Sequence, residues 1–334
     1  MPDARPGEDA LVARYLAPLA THPGAAGLTD DVATLSTGAG ETLVLTHDTL
    51  VAGVHFFARD AAEDIALKAL RVNLSDLAAK TARPIGYLMS LALPDRWTEA
   101  WLARFAGGLG REQARHRFSL LGGDTVRARG PLQIGITMIG ALPPGVDPPR
   151  RGGARPGDAV CVTGTIGSAA IGLGLRRKAD IERLRLGRLS AEGRRVALDR
   201  YLRPNPPLGA LDAVRHLVTA SMDVSDGLVG DLARLAAASG AGAAIVADRV
   251  PIDPAFGALV LADEALLRIA LTGGDDYETL FTCRPEAIAA IGAAAARVGV
   301  GVSAIGRIVE GAGVEVTRMG APMDGLGAGA FRHF

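Results

Sequence analysis

The stretch PPGVDPPRRGGARPGD, residues 143–158, divides the chain into two parts. Proline and glycine dominate it, and both residues suppress regular secondary structure. A chain of 334 residues is too long for one ordinary hydrophobic core, and two domains of roughly 150 residues each are expected. We therefore predict an N-terminal domain over residues 1–142, a linker over 143–157 and a C-terminal domain over 158–334.

The composition favours a globular protein that binds small molecules. Hydrophobic residues make up 49% of the chain, and 36 Lys and Arg residues balance 36 Asp and Glu residues. This overall charge offers no attraction to nucleic acid or to an anionic membrane. The first residues lack the continuous apolar region of a signal peptide, and the alanine-rich run 288–305 is interrupted by Arg297 and several glycines, which predicts a helix and then a strand rather than a membrane span. We expect a cytoplasmic protein whose partners are small molecules or another subunit.

The two cysteines, Cys161 and Cys283, lie in apolar, strand-like runs and form no C-x-x-C pair. We therefore expect two buried thiols rather than a disulfide framework or a thiolate zinc site. The six histidines show no H-E-x-x-H or other paired spacing, which argues against a zinc enzyme.

Apolar periodicity predicts alternating helices and strands in both halves of the chain, with short connections. Helices are predicted over residues 8–20, 60–80 and 98–117 and over SDGLVGDLARLAAASG, and GSAAIGLGL and residues 190–217 are predicted to be largely helical. Strands are predicted at TLVLTHD, IGYLMSLAL, LQIGITMIGAL, DAVCVTG, AAIVA, ETLFTC and VSAIGRIV.

The most informative signal is a series of aspartates beside glycine, serine or threonine. They occur in LTDDVA (28–33), THDTL (46–50), VNLSDLA (72–78), GGDT (122–125), DVSDGL (223–228) and TGGDDYE (272–278). Each segment has an ordinary explanation, because Asp, Ser and Thr cap helices and Asp-Gly forms turns. This explanation suits Asp124 and Asp226 in particular. Asp76 is harder to explain in this way, because it lies inside a predicted helix and shares a face with Asn73.

Aspartates without accompanying cysteines or paired histidines suit hard cations, above all Mg²⁺, which usually joins one or two carboxylates to phosphate oxygens. The pattern therefore indicates phosphate chemistry. The P-loop motif G-x-x-x-x-G-K-[ST] is absent, since none of Lys68, Lys80 and Lys178 follows a glycine. The protein-kinase motifs H-R-D and D-F-G are absent as well. A nucleotide site in this chain would rely on magnesium, arginines and backbone amides.

Three further features each have two interpretations. Arg150, Arg151 and Arg155 in RRGGARPGD form either a phosphate clamp or a solvated basic loop. His55 in GVHFF is either a core residue or a ligand-binding residue. The glycine-rich turn GTIGSAAIG (164–172) resembles an anion cradle at a helix start, but alone it is a weak signal, and we interpret it as scaffold.

Taken in order, nine motifs together resemble the thiamine-monophosphate kinase family. They are TDDVATL, THDTLVAGVHF, KALRVNLSDLAA, LLGGDT, RGGARPGD, VTGTIGSAAIGL, MDVSDGL, LTGGDDYETLFT and the terminal FRHF. The wider superfamily includes aminoimidazole ribonucleotide synthetase and selenophosphate synthetase. The resemblance implies an α+β fold of two domains like that of aminoimidazole ribonucleotide synthetase: an N-terminal mixed α/β sheet domain that pairs into a homodimer, and a C-terminal α+β domain, with the nucleotide held between the domains.

The resemblance also implies a reaction, in which ATP phosphorylates thiamine monophosphate to thiamine diphosphate with the help of several Mg²⁺ ions. The implied metal positions are Asp31, Thr46, His47, Asp48, Asp76, Asp124, Asp223 and Asp226. The implied ATP contacts are Gly123, Asp124, Arg151 and Ser225, and the implied thiamine-substrate contacts are His55, Asp275 and Phe331. Asp76 and Asp124 are expected to act in catalysis through magnesium.

Three positions depart from the family pattern. Thr29 stands where glycine is usual, and His47 stands where threonine is usual, so that a side-chain contact to metal is changed while the backbone carbonyl can still serve. Phe331 replaces Trp or Tyr and keeps a stacking face. The alternatives are another ATP-dependent synthetase of the superfamily and a non-catalytic nucleotide sensor. GVHFF and FRHF favour the thiamine substrate.

Overall fold

The computed structural model describes residues 7–30, 32–177 and 185–326. The chain separates into two compact units. Unit 1 comprises the described residues of Met1–Leu77 and Ala82–Asp147, and unit 2 comprises those of Ala78–Thr81 and Pro148–Phe334. The change from unit 1 to unit 2 at Asp147 and Pro148 falls within the stretch rich in proline and glycine.

Unit 1 begins with a helical segment of three successive geometries. Helix α1 (Glu8–Leu11) continues as a π-helix (Val12–Leu16) and a 3₁₀-helix (Ala17–Leu19), and a second 3₁₀ segment follows at Pro23–Leu28. The two long helices of this unit are α2 (Ala62–Ala79) and α3 (Glu99–His116). Their ends lie within two residues of those predicted from the apolar stripe.

Local chemistry explains where α3 begins and ends. The Thr98 hydroxyl accepts a hydrogen bond from the backbone N–H of Trp101 at 3.1 Å, which caps the first turn. Arg117 ends the helix in the left-handed conformation, with φ of 57°. The basic Arg115 and His116 in the last turn complement the negative end of the helix dipole.

The sheet of unit 1 has four strands in the order β1-β4-β2-β3. The strands are β1 (Thr42–Val51), β2 (Arg83–Pro94), β3 (Ser119–Ala128) and β4 (Gln133–Leu142). β4 pairs antiparallel with both β1 and β2, whereas β2 and β3 are parallel. One face of the sheet carries buried side chains such as Met89 and Ile136, and the opposite face exposes Leu45 (62% exposed), Leu88 and Val126. The sheet therefore has one covered apolar face and one open apolar face within unit 1.

Unit 2 contains a seven-stranded sheet in the order β11-β10-β7-β9-β5-β8-β6. Its strands are β5 (Ala159–Thr163), β6 (Val218–Val224), β7 (Gly242–Val246), β8 (Glu278–Cys283), β9 (Val302–Val309), β10 (Val314–Arg318) and β11 (Ala321–Pro322). Only the pair β10 and β7 is parallel among these described strands.

The helices described in unit 2 flank this sheet. They are α4 (Ser168–Arg176), α5 (Ala191–Leu202), α6 (Leu228–Ala238), α7 (Gly257–Ala262), α8 (Glu264–Thr272) and α9 (Ile288–Ala296), with 3₁₀ turns at Asp212–Leu217, Ala247–Arg249 and Pro285–Ala287. The stretch 190–217, predicted to be largely helical, is helical at both ends and interrupted between them. Helix α5 ends at Leu202, because Pro204, Pro206 and Pro207 follow and proline cannot continue a helix.

Alternate residues of β5 enter two separate cores, one on each face of the sheet. Val160 and Val162 pack into the larger core, whereas Cys161 packs into a smaller core with Phe281 and Cys283. Both thiols are free and buried, which confirms the prediction made for them. Among the described residues, no helix is both long enough and apolar enough to cross a membrane.

Candidate functional site

The GGDT segment lies on β3, at the edge of the sheet in unit 1. The register between β2 and β3 shifts at Tyr87 and Leu88. Gly123 follows with φ of 154°, and a Cβ added there would lie 1.9 Å from the carbonyl oxygen of Met89. The sheet itself therefore requires glycine at position 123, whatever ligand binds. Asp124 comes next, and it is exposed.

A cavity of about 520 Å³ lies beside this edge. Its acidic side chains are Asp30 and Asp124, and the glycine backbone of residues 122 and 123 also lines it. Most of the remaining wall is apolar and comes from the N-terminal helical segment, the following loop and strands β2 and β3: Val12, Leu16, Ala25, Leu28, Val32, Ala33, Leu88, Met89, Leu120 and Leu121. The cavity thus combines carboxylates with an apolar wall, a combination that suits a ligand with one charged and one flat apolar part.

A second acidic group lies where β1 passes α2. The Thr46 hydroxyl donates a hydrogen bond to Oδ2 of Asp76. Alternate residues of a strand face the same side, so Asp48 lies on the Thr46 face of β1 and His47 lies on the opposite face. Thr46, Asp48 and Asp76 are each partly exposed. The three residues therefore present oxygen atoms from one region of unit 1.

Asp124 lies apart from this group. Across the sheet, Asp48 on β1 aligns with Ile136 on β4, Met89 on β2 and Gly123 on β3. Asp48 and Gly123, the neighbour of Asp124, are therefore three strand spacings apart, or about 14 Å. Among the described residues, no three or more His, Cys, Asp or Glu side chains are grouped so that they could hold a metal ion. Asp31, a predicted metal ligand, and Phe331, a predicted substrate contact, lie outside the described residues.

Both sequence-predicted histidines have local hydrogen-bond partners. The His47 ring contacts the hydroxyls of Thr137 at 2.8 Å and Thr49 at 3.2 Å. His55 Nδ1 accepts the backbone N–H of Val51 at 3.0 Å, which fixes the turn after β1. The imidazole of His47 therefore lies on the open face of the sheet, away from Asp48 and Asp76.

In unit 2, one buried carboxylate organises the DVSDGL loop. Oδ2 of Asp231, in the first turn of α6, accepts the backbone N–H groups of Ser225, Asp226 and Gly227 at 3.1, 3.0 and 3.1 Å. The residue is fully buried, and burial raises the pKa of Asp231 to about 6. Arg234, one turn further along α6, donates to Asp226 and to Asp231. Asp231 is not among the residues predicted from the motifs, although an acid in the first turn of a helix is a visible signal in the sequence.

The TGGDDYE loop lies against the same segment. β6 and β8 are antiparallel neighbours, with Val224 opposite Glu278, so β6 ends where β8 begins. The backbone N–H of Asp275 donates to the Ser225 carbonyl at 2.8 Å, and that of Tyr277 donates to the Val224 carbonyl at 2.8 Å. A Cβ on Gly274 would lie 2.2 Å from the Ser225 oxygen. The structure thus brings together Ser225 and Asp275, which sequence analysis had placed in separate motifs.

Two further acids of this loop were not predicted as functional. Asp276 accepts the N–H groups of Gly167 at 2.7 Å and Ala169 at 3.3 Å at the start of α4. Glu278 accepts the Thr163 hydroxyl at 2.8 Å. Burial raises the pKa of Asp276 to about 8 and that of Glu278 to about 7. A protein carboxylate therefore occupies the helix start in GTIGSAAIG, in agreement with its interpretation as scaffold.

The two remaining predicted residues are Asp223, next to these loops, and Arg151, in the predicted linker. Asp223 is buried on β6, opposite Thr279. Arg151 is exposed in its loop. The following Gly152 approaches the Ala238 carbonyl, since a Cβ there would lie 2.5 Å from that oxygen.

Comparison with known proteins identifies the family. Residues 29–142 match the family model of the AIR synthase related protein, N-terminal domain, and residues 155–318 match that of the C-terminal domain. The thiamine-monophosphate kinase of Caulobacter vibrioides is 41% identical over 304 residues, which are 90% of this chain and 83% of the relative. The chain belongs to the thiamine-monophosphate kinase family. The thiamine-monophosphate kinase of Escherichia coli strain K12 is 38% identical over 88% of this chain and 88% of the relative.

Solved structures agree with this family. The crystal structure of thiamine-monophosphate kinase from Stenotrophomonas maltophilia K279a has a TM-score of 0.77 and 38% identity, covering 89% of this chain and 91% of that chain. The structure described as AaThiL complexed with AMPPCP and TMP has a TM-score of 0.74 and 28% identity, covering 91% of each chain. The expected α+β fold of two domains of the aminoimidazole ribonucleotide synthetase type is confirmed.

Proposed function

We propose that this member of the thiamine-monophosphate kinase family transfers the γ-phosphoryl group of ATP to thiamine monophosphate. The observation that carries the proposal is its identity of 41% with a thiamine-monophosphate kinase over 90% of this chain. A relative of the same fold was solved with AMPPCP and TMP, and AMPPCP is an ATP analogue. The products would be thiamine diphosphate and ADP.

The donor chemistry of the chain fits Mg²⁺ as the accompanying cation. Carboxylate and hydroxyl oxygens are the ligands that Mg²⁺ prefers, and one or two carboxylates commonly suffice when substrate phosphates complete the coordination. Carboxylate oxygens of this kind are supplied by Asp48, Asp76 and Asp124 in unit 1 and by Asp223 and Asp226 in unit 2. When bound, Mg²⁺ would supply positive charge that screens the repulsion between the two phosphate groups.

The acceptor needs little activation by the protein. A phosphate monoester has a second pKa near 6 and is mainly dianionic at neutral pH, so no strong general base is required. We infer direct transfer: a bond forms from an acceptor phosphate oxygen to the γ-phosphorus, and the bond from the γ-phosphorus to the bridging oxygen of ADP breaks. The residues of the chain would hold the two anions in line.

The cavity beside β3 is our proposed site for part of the nucleotide. Asp124 and the backbone at Gly123 would lie near phosphate, and the apolar wall that includes Val12 and Leu16 would accommodate the base. We further propose that Arg151 and Ser225 contact ATP and that His55, Asp275 and Phe331 contact the thiamine substrate.

A homodimer and a cytoplasmic location complete the proposal. The open face of the four-stranded sheet exposes Leu43, Leu45, Leu88 and Val126. Exposed apolar side chains that share one sheet face favour burial against a partner, and a second copy of unit 1 offers the same face. ATP is abundant in the cytoplasm, where we place the reaction.

The direct test is an incubation of the protein with ATP, Mg²⁺ and thiamine monophosphate, followed by chromatographic detection of thiamine diphosphate. We expect one ADP for each thiamine diphosphate. ATP binding without ADP formation would instead indicate a nucleotide sensor, and turnover only with a substrate of the related synthetases would indicate a different enzyme of the superfamily. Labelled protein together with ATP–ADP exchange in the absence of acceptor would contradict direct transfer.

A further inference from the structure

Arg234 lies on α6, outside every motif that indicated function, and bridges two carboxylates. A single nitrogen of its guanidinium, Nη1, donates to Oδ2 of Asp226 at 2.5 Å and to Oδ1 of Asp231 at 2.8 Å. The three side chains differ in exposure: 39% for Arg234, 31% for Asp226 and none for Asp231. The bridge therefore runs from a buried anchor to a partly exposed aspartate.

The anchor is fixed independently of Arg234. The other oxygen of Asp231, Oδ2, accepts the three N–H groups of Ser225, Asp226 and Gly227. Asp231 thus holds the backbone of the loop while Arg234 holds the side chain of Asp226. Loss of the guanidinium would free one carboxylate oxygen of Asp226 and leave the backbone hydrogen bonds of the loop in place.

We propose that Arg234 is the counter-charge that occupies Asp226 when no divalent cation is bound, and that a cation binds Asp226 by displacing the guanidinium. This inference rests on the proposed role of Asp226 as a metal ligand. Arg234 already holds one of the two carboxylate oxygens of Asp226, so the guanidinium and a divalent cation compete for this side chain, and a positive charge next to a cation site also weakens it electrostatically. Arg234 is therefore a positioning residue that sets the metal affinity of this loop.

Removal of Arg234 should therefore tighten metal binding, whereas removal of a residue that binds the metal would weaken it. The experiment uses the full chain without nucleotide and measures Mn²⁺ affinity by the EPR signal of the free ion, since Mn²⁺ shares the oxygen ligands of Mg²⁺. We expect Arg234→Met to bind Mn²⁺ about threefold tighter or more, a gain in keeping with the loss of one partly exposed ion pair. Arg234→Lys keeps the charge and should bind Mn²⁺ close to the wild-type affinity.

The matched control is Arg268→Met. Arg268 lies on α8 and pairs with Glu264 at 2.8 Å, in an ion pair of the same type on another helix. The Arg268→Met variant should bind Mn²⁺ with the wild-type affinity. A second readout is thermal unfolding: Arg234→Met should unfold at a lower temperature than wild type without metal, and saturating Mn²⁺ should stabilise it more than it stabilises wild type. If Arg234 had a purely structural role, Arg234→Met would lower the unfolding temperature by the same amount with and without Mn²⁺. The Mn²⁺ affinity would then equal that of the wild type.

Asp226→Asn separates failure of this inference from failure of the proposed function. Weaker Mn²⁺ binding in Asp226→Asn, with tighter binding in Arg234→Met, supports the inference. Weaker binding in Asp226→Asn, with unchanged or weaker binding in Arg234→Met, overturns it and leaves the metal role of Asp226 intact. If Asp226→Asn and wild type bind Mn²⁺ equally, Asp226 is not a metal ligand, and the inference about Arg234 fails with it. Arg234→Gln, measured in the same way, replaces Arg234→Met if the methionine variant does not fold.

Discussion

Tyr277 donates its phenolic hydroxyl to Oδ1 of Asp275 at 3.0 Å, and both residues have positive φ, 53° and 71°. A bulky residue in the left-handed region is uncommon and costs conformational energy. Such strain is found most often at functional sites. The hydrogen bond orients a carboxylate that we propose to contact the thiamine substrate.

Tyr277→Phe removes only the hydroxyl that orients Asp275. Loss of one such hydrogen bond corresponds to about 1 kcal/mol, or about fivefold in affinity. We expect KM for thiamine monophosphate to rise about fivefold while KM for ATP and kcat change little. Initial-rate kinetics with each substrate varied in turn measure this. Tyr15→Phe is the control, since Tyr15 donates to Glu99 in unit 1, whereas Tyr277 and Asp275 belong to unit 2. An equal rise of both KM values in Tyr277→Phe would refute the orienting role.

Asp76→Asn tests the proposed metal group of unit 1. The amide oxygen of asparagine can still accept the Thr46 hydroxyl, so folding should be retained while a ligand charge is lost. We expect kcat to fall at least about 100-fold, a loss of the size seen when metal sites are perturbed. Steady-state turnover together with circular dichroism measures the effect. Asp95→Asn, which removes an exposed partner of Arg127, is the control; near-normal turnover of Asp76→Asn at saturating Mg²⁺ would exclude the assignment.

Gly123→Ala should destabilise unit 1 whether or not a ligand is bound. The new Cβ would lie 1.9 Å from the Met89 carbonyl oxygen, and backbone cannot move aside as a flexible side chain can. We expect the free energy of unfolding to fall by roughly 3 kcal/mol, measured by urea denaturation. Gly122→Ala is a close control, because its Cβ would meet only Leu88 Cδ2 at 3.4 Å. Equal stability of the two variants would show that the β2–β3 register is not fixed by Gly123.

The buried acid Asp276 should make stability decrease as pH rises. Burial raises its pKa in the folded protein to about 8, from an ordinary value of 3.8, with smaller contributions from Glu278 and Asp275. Between these two values the unfolded chain has lost the proton that the folded protein keeps, so the free energy of unfolding decreases with pH, by up to about 1.4 kcal/mol per unit. Below about pH 4 both states are protonated and this contribution is constant.

Asp276→Asn should therefore reduce the slope of stability against pH between about 4 and 8. Asparagine remains neutral, and its single oxygen can still accept the N–H group of Gly167, which makes the shorter of the two hydrogen bonds. Urea denaturation at a series of pH values measures both slopes. A wild-type slope that is unchanged in Asp276→Asn would show that the titrating group lies elsewhere.

Leu45→Asp tests the proposed dimer. Leu45 is 62% exposed on the open face of β1, so a charge there should not disturb the covered face of the sheet. We expect the variant to be monomeric in size-exclusion chromatography with light scattering, at concentrations where the wild type is dimeric. Val298→Asp, at another exposed apolar position, should not change the mass. A dimeric Leu45→Asp variant would move the interface away from this face.

Local signals predicted the long helices and several strands. The helix predicted from Thr98 to Arg117 corresponds to α3, which begins and ends one residue inside those positions. Strand β3 was missed because its second half is polar and exposed, and its segment GGDT looks like a turn. The stretch predicted to be largely helical over 190–217 is helical only at its two ends, because Pro204, Pro206 and Pro207 interrupt it.

The candidate site was predictable residue by residue but not as an arrangement. DVSDGL and TGGDDYE each indicated function, whereas the hydrogen bond from Asp275 to Ser225 depends on β6 and β8 being neighbours, which no local pattern encodes. Asp231 and Asp276 were missed for a related reason. An acid that satisfies buried backbone N–H groups has the same letter in the sequence as one that faces solvent.

The carboxylate of Asp276 at the start of α4 has a consequence for anion recognition. Many phosphate-binding proteins hold their ligand with the amide groups at such a helix start, but here the side chain of Asp276 already accepts the N–H groups of Gly167 and Ala169. These amides are then not available to a polyphosphate, so its attraction to the protein must come from arginines and from bound cations. Nucleotide affinity should consequently fall steeply when divalent ions are chelated, and more salt should weaken what remains.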